Sequence, residues 1–452
     1  MAGVAAAAIA AEQIVATGVE AAAAVAIAAP TLPLKISLTH IPNPAPEGSP
    51  HPALARSHHT LTVLANKAFL FGGQDASGTL CPPGIHTLTL PATKSTTDPP
   101  TAAAAADNDN DGTAYTCYPP FPLQDAATGE ILVPSPRAGH AACARGEKLL
   151  LVHGGRDASG GPVAAGDGNC LWQWDSENLS WGKLRGDTQL GVAMAPRWGH
   201  WMFGDDEQGF LVLVGGKGYG CEEKETEREA WMYDFNAKVW TALPKMPARP
   251  LAAAYAAGRV YVISGDGDDG AGLSGVVHYL NMRESPTERE KPGALVWESV
   301  SYPANPLTLG PKPRAGGALV PLNTGHGREY LVYMFGCSEG DGDGKEYYSD
   351  IWTLQLPAHG RSGAAAKDKI REKLPGMESG EFTWAEAEIV PTEQMTAEGK
   401  VHPGPRGLFA ADSCLNGQGV VLWGGMNAKG EKEGDGWLLR LAYGYADNDR
   451  WE

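Results

Sequence analysis

The sequence predicts an all-β protein built from six copies of one four-stranded sheet. Three observations predict it. An arginine opener followed by an apolar run that ends in a glycine pair, or its remnant, recurs six times along the 452 residues. Glycine (58) and proline (34) make up roughly a fifth of the chain, which suits many short strands joined by turns rather than long helices. The two ends of the chain are also complementary: an unattached strand precedes the first copy, and the last copy stops one strand short. A lone four-stranded sheet cannot bury both faces, so the copies must stack on one another.

The fullest copy runs over residues 197–243. It opens on Arg197-Trp198-Gly199-His200 and turns near Gly204 to Gly209. Its second strand, Phe210-Leu211-Val212-Leu213-Val214, ends on Gly215-Gly216, where a positive φ costs no Cβ clash. An acidic loop leads to Ala230-Trp231-Met232-Tyr233-Asp234, and Val239-Trp240-Thr241-Ala242-Leu243 closes the unit, with Trp240 placed to pack between sheets.

Taken in order, residues 1–30 are rich in alanine, the strongest helix former. They lack a basic leader region and are interrupted by Glu12 and Glu20, which points to a short outer helix or tail rather than a signal peptide or membrane span. Residues 31–445 form the repeat domain. Leu34-Lys35-Ile36-Ser37-Leu38-Thr39-His40-Ile41 alternates apolar and polar residues and reads as a fourth strand without its first three. The openers Arg56, Arg137, Arg197, Arg249, Arg314 and Arg406 follow, spaced by 81, 60, 52, 65 and 92 residues. The unit is therefore about 50 residues, and the excess falls in insertions at 94–112, 283–291 and 358–380, expected to be solvated loops. In the fourth copy Ser264 replaces a glycine of the pair.

A net charge of −17 argues against a nucleic-acid backbone or an anionic membrane as partner. Seven scattered cysteines without a CxxC resemble neither a disulfide framework nor a zinc site, and imply reduced thiols in a cytoplasmic protein. Gly265-Asp266-Gly267-Asp268-Asp269-Gly270 is acidic and would repel phosphate, and no Gly-x-Ser-x-Gly elbow occurs. The acidic run 222–229 reads as a solvated loop or a docking edge for a basic partner.

The ordered pattern of Arg-x-x-His, apolar-Gly-Gly, Tyr-Asp and Trp-x-x-Leu-Pro resembles the kelch repeat, over residues 34–441. The resemblance implies a six-bladed kelch β-propeller. Pairing the orphan strand with the incomplete last blade would close the ring and leave no open edge. Within that family the chain is similar to fungal kelch proteins related to galactose oxidase, and more loosely to plant nitrile-specifier proteins. No Tyr–Cys pair is assignable to the copper chemistry of galactose oxidase. The specifier resemblance implies iron(II) on a Glu-x-x-x-Asp-x-x-x-His set. Glu346 and Asp350 match its carboxylates, but Leu354 stands at the histidine position.

Two readings of the six opener arginines stay open. Each guanidinium bonds loop carbonyls or packs on a neighbouring blade. Alternatively, several point into the central pocket and bind an anion or carboxylate in bidentate fashion. His58, His140 and His200 follow the arginines by two or three positions and could line one side of that pocket. The expected function is a non-enzymatic platform for a protein partner or a small anionic ligand, without a cofactor. The alternative is an iron-dependent specifier-like protein acting on a reactive metabolite.

Overall fold

The computed structural model describes residues 32–44, 54–90, 114–125, 128–163, 170–184, 187–188, 194–219, 226–265, 274–283, 295–303, 310–324, 327–338, 345–358, 363–371, 381–392, 397, 399 and 401–442. The Ala-rich segment 1–30, the insertion 94–112, residues 284–291 of the second insertion, 222–225 of the acidic run and 266–270 of the Gly/Asp run lie outside these residues.

Six sheets of four or five strands form a six-bladed β-propeller. Each blade is an antiparallel meander. In blade 3, Trp201–Asp205, Phe210–Val214, Ala230–Asp234 and Val239–Ala242 pair in sequence, with Val212 opposite Met232 and Tyr233 opposite Trp240. The innermost strands are Thr60–Leu64, Ala141–Arg145, Trp201–Asp205, Ala252–Ala256, Ala318–Asn323 and Ala410–Cys414. Each neighbours the next, and the sixth neighbours the first, so the ring closes.

The core confirms the stacking argument, because each of six hydrophobic clusters belongs to a seam between two blades. Phe69 and Phe71 of blade 1 meet Trp172, Trp174 and Trp181 of blade 2. Leu151 of blade 2 meets Leu211, Tyr233 and Trp240 of blade 3. Val212 meets Val260 and Val262 across the next seam, and Ile263 meets Tyr333 and Trp384 across the one after. Val332 and Phe335 pack on Leu422 and Trp437, and Trp423 packs with Leu61 and Leu70. Trp181, Trp240 and Trp384 each face the preceding blade, as the closing tryptophan of the repeat predicts.

The orphan strand, Lys35–Ile41, runs antiparallel to Gly436–Leu441, with Leu38 opposite Leu439. It completes blade 6, and Ile36 and Leu38 are fully buried in the seam to blade 5. A feature not visible in the sequence reinforces this closure. Glu388–Ile389, just after blade 5, lies parallel to the closing strand as a fifth strand. The amides of Glu388 and Val390 donate to the carbonyls of Leu34 (2.9 Å) and Ile36 (2.8 Å). An edge strand that would otherwise be open is thereby covered.

The insertion 358–380 departs from the expected loop. Gly363–Arg371 is a helix. Its Ala364 and Ala365 are buried, and Arg328 clamps its Asp368 through two hydrogen bonds of 2.7 and 2.5 Å. The run Gly363-Ala364-Ala365-Ala366-Lys367 carries the helix propensity that explains it. Among the described residues no helix is long and apolar enough to cross a membrane.

Candidate functional site

The openers lie at one end of the ring, where each innermost strand begins. There the glycine pairs and the arginines form one interlocking device. Arg56, Arg137, Arg197 and Arg406 donate from Nη1 to the carbonyls of Gly72, Gly154, Gly215 and Gly424, the first glycine of their own blade's pair (3.0–3.1 Å). Arg314 reaches the matching Phe335 carbonyl at 3.4 Å. Main chain then links neighbouring blades across four of the six seams. The amides of Gly73, Gly155, Gly336 and Gly425 donate to the carbonyls of Arg137, Arg197, Arg406 and Arg56, at 2.8–2.9 Å.

Glycine is required here on two counts. Gly154 has φ +66°, and a Cβ on it would sit 2.6 Å from both the Arg197 carbonyl and His200 Cε1. Gly72 would meet Arg137 and His140 in the same way. The histidine of one blade is thus seated on the glycine of the blade before. The structure corrects one position: the residue equivalent to His140 and His200 is His59, not His58. His59 is buried and packs against Gly424. His58 takes the left-handed position (φ 55°) held by Gly139, Gly199, Gly316 and Leu408 in other blades. These residues form a collar of main-chain bonds. His58 donates to Leu408, Gly139 to His58, Gly199 to Gly139, and Leu408 to Gly316.

Five openers are therefore scaffold. Arg56, Arg137, Arg197 and Arg314 show no exposed surface and Arg406 shows 1%. None of them lines the central channel. Glu229 accepts from Arg197 (2.6 Å), Asp435 from Arg406 (3.1 Å), and both oxygens of Asp350 from Arg314. A guanidinium with its donors spent on carbonyls and carboxylates has little left for a ligand. Arg249 differs. Its side chain is 38% exposed, and a carboxylate oxygen of Glu227 lies 3.8 Å from its Nε.

The carboxylates proposed for iron do not form a donor set. Asp350 Oδ2 accepts from Trp352 Nε1 (2.6 Å) as well as from Arg314. Burial pushes its carboxyl up, but Arg314 and Trp352 together hold it below the ordinary value. Glu346 is exposed beside Lys312, 3.5 Å away. Leu354, at the third position, is fully buried in the core. Among the described residues no group of three metal-ligating side chains converges.

Inside the collar runs a channel of about 410 Å³, walled by the innermost strands of all six blades. Each of these strands is hydrogen-bonded on one side only, so its free edge faces the channel. His59, His140 and His200 line its opener end. Burial holds all three imidazoles neutral: His140 is pushed down to about 3, and His59 and His200 lie well below their ordinary range. Asp412 contributes the one carboxylate of the wall. It accepts from the Val63 amide (2.8 Å), and burial raises it to about 6 against the pull of the Val63 and Ser413 amides. Among the described residues no lysine or arginine lines the channel.

Outside the collar, cations do gather. The residue after the glycine pair bridges back to the second residue of the opener, as in Ala138 with Arg156 and Trp198 with Lys217. Arg156 Cζ lies 4.6 Å from the Trp198 ring centroid, and Lys217 Nζ lies 5.4 Å from it. His58 sits within the field of Arg156 and of Lys432. Burial first, then these two charges, push it down to about 4. Sequence reasoning missed Arg156 and Lys217. Aligning the position after each glycine pair would have found them.

No protein-family model matches the chain. No curated protein matches it either. Among solved structures, that of YjhT superposes with a TM-score of 0.50 at 14% identity, covering 84% of this chain and 94% of that one. The likeness is one of fold. With 370 solved chains matching, the fold by itself selects no activity.

Proposed function

We propose that the chain is a kelch-type propeller acting as a non-enzymatic binding platform, which holds a protein partner or a small ligand at the opener face and the channel behind it. The observation that carries this reading is the channel itself, a cavity of about 410 Å³ framed by free strand edges from six blades. Sites of this size and concavity are the usual places for ligands to bind. The wall combines small apolar side chains, such as Ala141, Ala142, Ala144 and Ala253, with exposed main chain and the three neutral histidines. Such a wall holds a ligand rather than moving its protons. A cytoplasmic setting belongs to the same proposal, supported by the buried free thiols of Cys81, Cys143, Cys337 and Cys414.

Native mass spectrometry of the full chain, after incubation with a cell-extract metabolite pool, tests the reading. A retained compound, recovered chemically unchanged, is the expected result, with hydrogen-exchange protection on Thr60–Leu64 and Ala410–Cys414. Steady conversion of the compound would overturn the non-enzymatic part. Protection confined to the outer strands would overturn the channel as the site.

A further inference from the structure

We infer that the opener face carries an oxyanion site between blades 2 and 3, in which Arg156 and Lys217, set around Trp198, bind a carboxylate or phosphate group of a small ligand. The inference rests on the platform reading and names the ligand chemistry.

Three observations converge on it. First, the two side chains come from the same position of adjacent blades, one residue past the glycine pair, where the bridges to Ala138 and Trp198 fix the backbone. Both charged heads therefore issue from rigid main chain, as a preorganised site requires. Second, both lie against one indole, at 4.6 and 5.4 Å. Contact with an aromatic face positions a cation without cancelling its net charge. Third, among the described residues, two carboxylates close in sequence, Asp157 and Glu229, are otherwise engaged. Asp157 accepts from the Ser159 hydroxyl and amide and from the Gly161 amide, and Glu229 accepts from Arg197 and Trp231. Among the described residues neither Arg156 nor Lys217 makes an ion pair, although the chain as a whole carries −17.

The same chemistry reappears in blade 6, on the far side of blade 1. Lys432, at the second bridge of blade 6, donates to the Asp75 carbonyl rather than to a carboxylate. Together with Arg156 it sets the field at His58. Among the described residues, Arg156 and Lys217 thus stand as two cations without an ion pair outside the collar, while the wall below offers Asp412 and neutral histidines. An anion is drawn to the mouth and held there, and is not drawn down the channel. Arg156 supplies the planar, bidentate donor for a carboxylate or phosphate, and Lys217 supplies a point charge.

Calorimetric titration of the full chain at low and physiological salt tests this, with inorganic phosphate, phthalate and tetramethylammonium as probes. Phosphate, phthalate or both should bind at one site, and tetramethylammonium should not. Phosphate without phthalate identifies phosphate as the group recognised, and the reverse identifies carboxylate. Arg156→Ala and Lys217→Ala should each weaken the anion at least tenfold. Trp198→Leu, which keeps both charges but loosens their placement, should weaken it several-fold. The melting temperature of each variant shows whether it is folded, and Lys217→Ala, at an exposed position, keeps the test alive if another variant fails. Anion binding unaffected by both cation substitutions overturns the inference, as does preference for the quaternary ammonium. If neither anion binds while a metabolite is still retained unchanged, this inference falls and the platform reading stands. If a bound anion is chemically converted, the site stands and the platform reading falls.

Discussion

Blade 4 and the other five blades solve the same closure problem differently, and the difference shows what the opener arginines are for. In blades 1, 2, 3, 5 and 6 a buried arginine bonds the carbonyl of the first glycine of the pair, or of Phe335 in its place in blade 5. Blade 4 has Ser264 in place of one glycine, and its arginine has left the interior. Ser264 is instead 3.0 Å from His278, which is 2.7 Å from Ser299. On the seam to blade 3, Pro250 takes the histidine's seat, and a Cβ on Gly215 would lie 2.6 Å from its ring. Blade 5 has lost the same first glycine, to Phe335, yet its buried Arg314 still holds that carbonyl, so the clasp depends on the left-handed turn (Phe335 φ 53°) and not on two glycines.

Acid tests this contrast with the largest effect. His140 and His153 are held down to about 3, by burial first and by arginine charges second, and His59 and His200 also lie well below the usual range. In the unfolded chain each titrates near 6.5. The unfolded state then binds more protons below that value, so the stability these groups contribute is full above about pH 6.5 and is lost as pH falls toward 3. One such histidine accounts for about 1.4 kcal/mol per pH unit in that window. Asp412, raised to about 6, acts in the opposite sense between about pH 4 and 6, but it is a single group. Urea midpoints should drop steeply from pH 7 to pH 5. Hydrogen exchange should open the seams 6–1, 1–2 and 2–3 first, because those hold His59, His140 and His200. A midpoint indifferent to pH, or early opening at the proline seam, would break the comparison.

Next in size is the clasp itself. Arg314→Ala strips a buried partner from Asp350 and from the Phe335 carbonyl. Removing one member of such a pair costs about 3–5 kcal/mol, which a denaturation curve resolves. Gly154→Ala should follow at about 1–3 kcal/mol, from the left-handed φ and the blocked Cβ. If either variant unfolds like the wild type, the interlock is not what joins the blades.

The propeller was legible in the sequence because its determinants are local and repeated. Gly215-Gly216, Tyr233, Trp240 and the unattached Leu34–Ile41 run carry the blade, the seam and the closure. The site was less legible, for a physical reason. An arginine side chain is long enough to reach either the channel or its own glycine carbonyl, and the deciding acceptor is main chain, which no sequence displays. The doubled histidine at 58–59 hid the register, although the Arg-x-x-His spacing shared with His140 and His200 selects His59. Arg156 and Lys217 lay unread because their position follows the motif rather than forming part of it. The Glu388–Ile389 strap was invisible for a related cause: a two-residue strand has no periodicity to read.

The smallest predicted effect decides whether the comparison is sound. Arg249→Ala removes a side chain that is 38% exposed and lies 3.8 Å from a carboxylate oxygen of Glu227. That distance exceeds a hydrogen bond, and an exposed pair of this kind is worth about 0–1 kcal/mol. The expected change in stability is within about 0.5 kcal/mol, the ordinary range for surface substitutions. Pairing this variant with Arg314→Ala in one background sharpens the contrast, because the sites lie in different blades, so their effects should add. A loss for Arg249→Ala comparable to that for Arg314→Ala would mean that blade 4 hides a clasp of its own. Arg249 would then have to be structural by some route other than the glycine carbonyl. A near-zero change leaves the seam between blades 3 and 4 held without an arginine clasp, by Pro250 on Gly215, the Val212–Val260–Val262 core, and the hydrogen bonds that Tyr255 donates to Asp205 (2.5 Å) and Trp297 to the Pro244 carbonyl (2.8 Å).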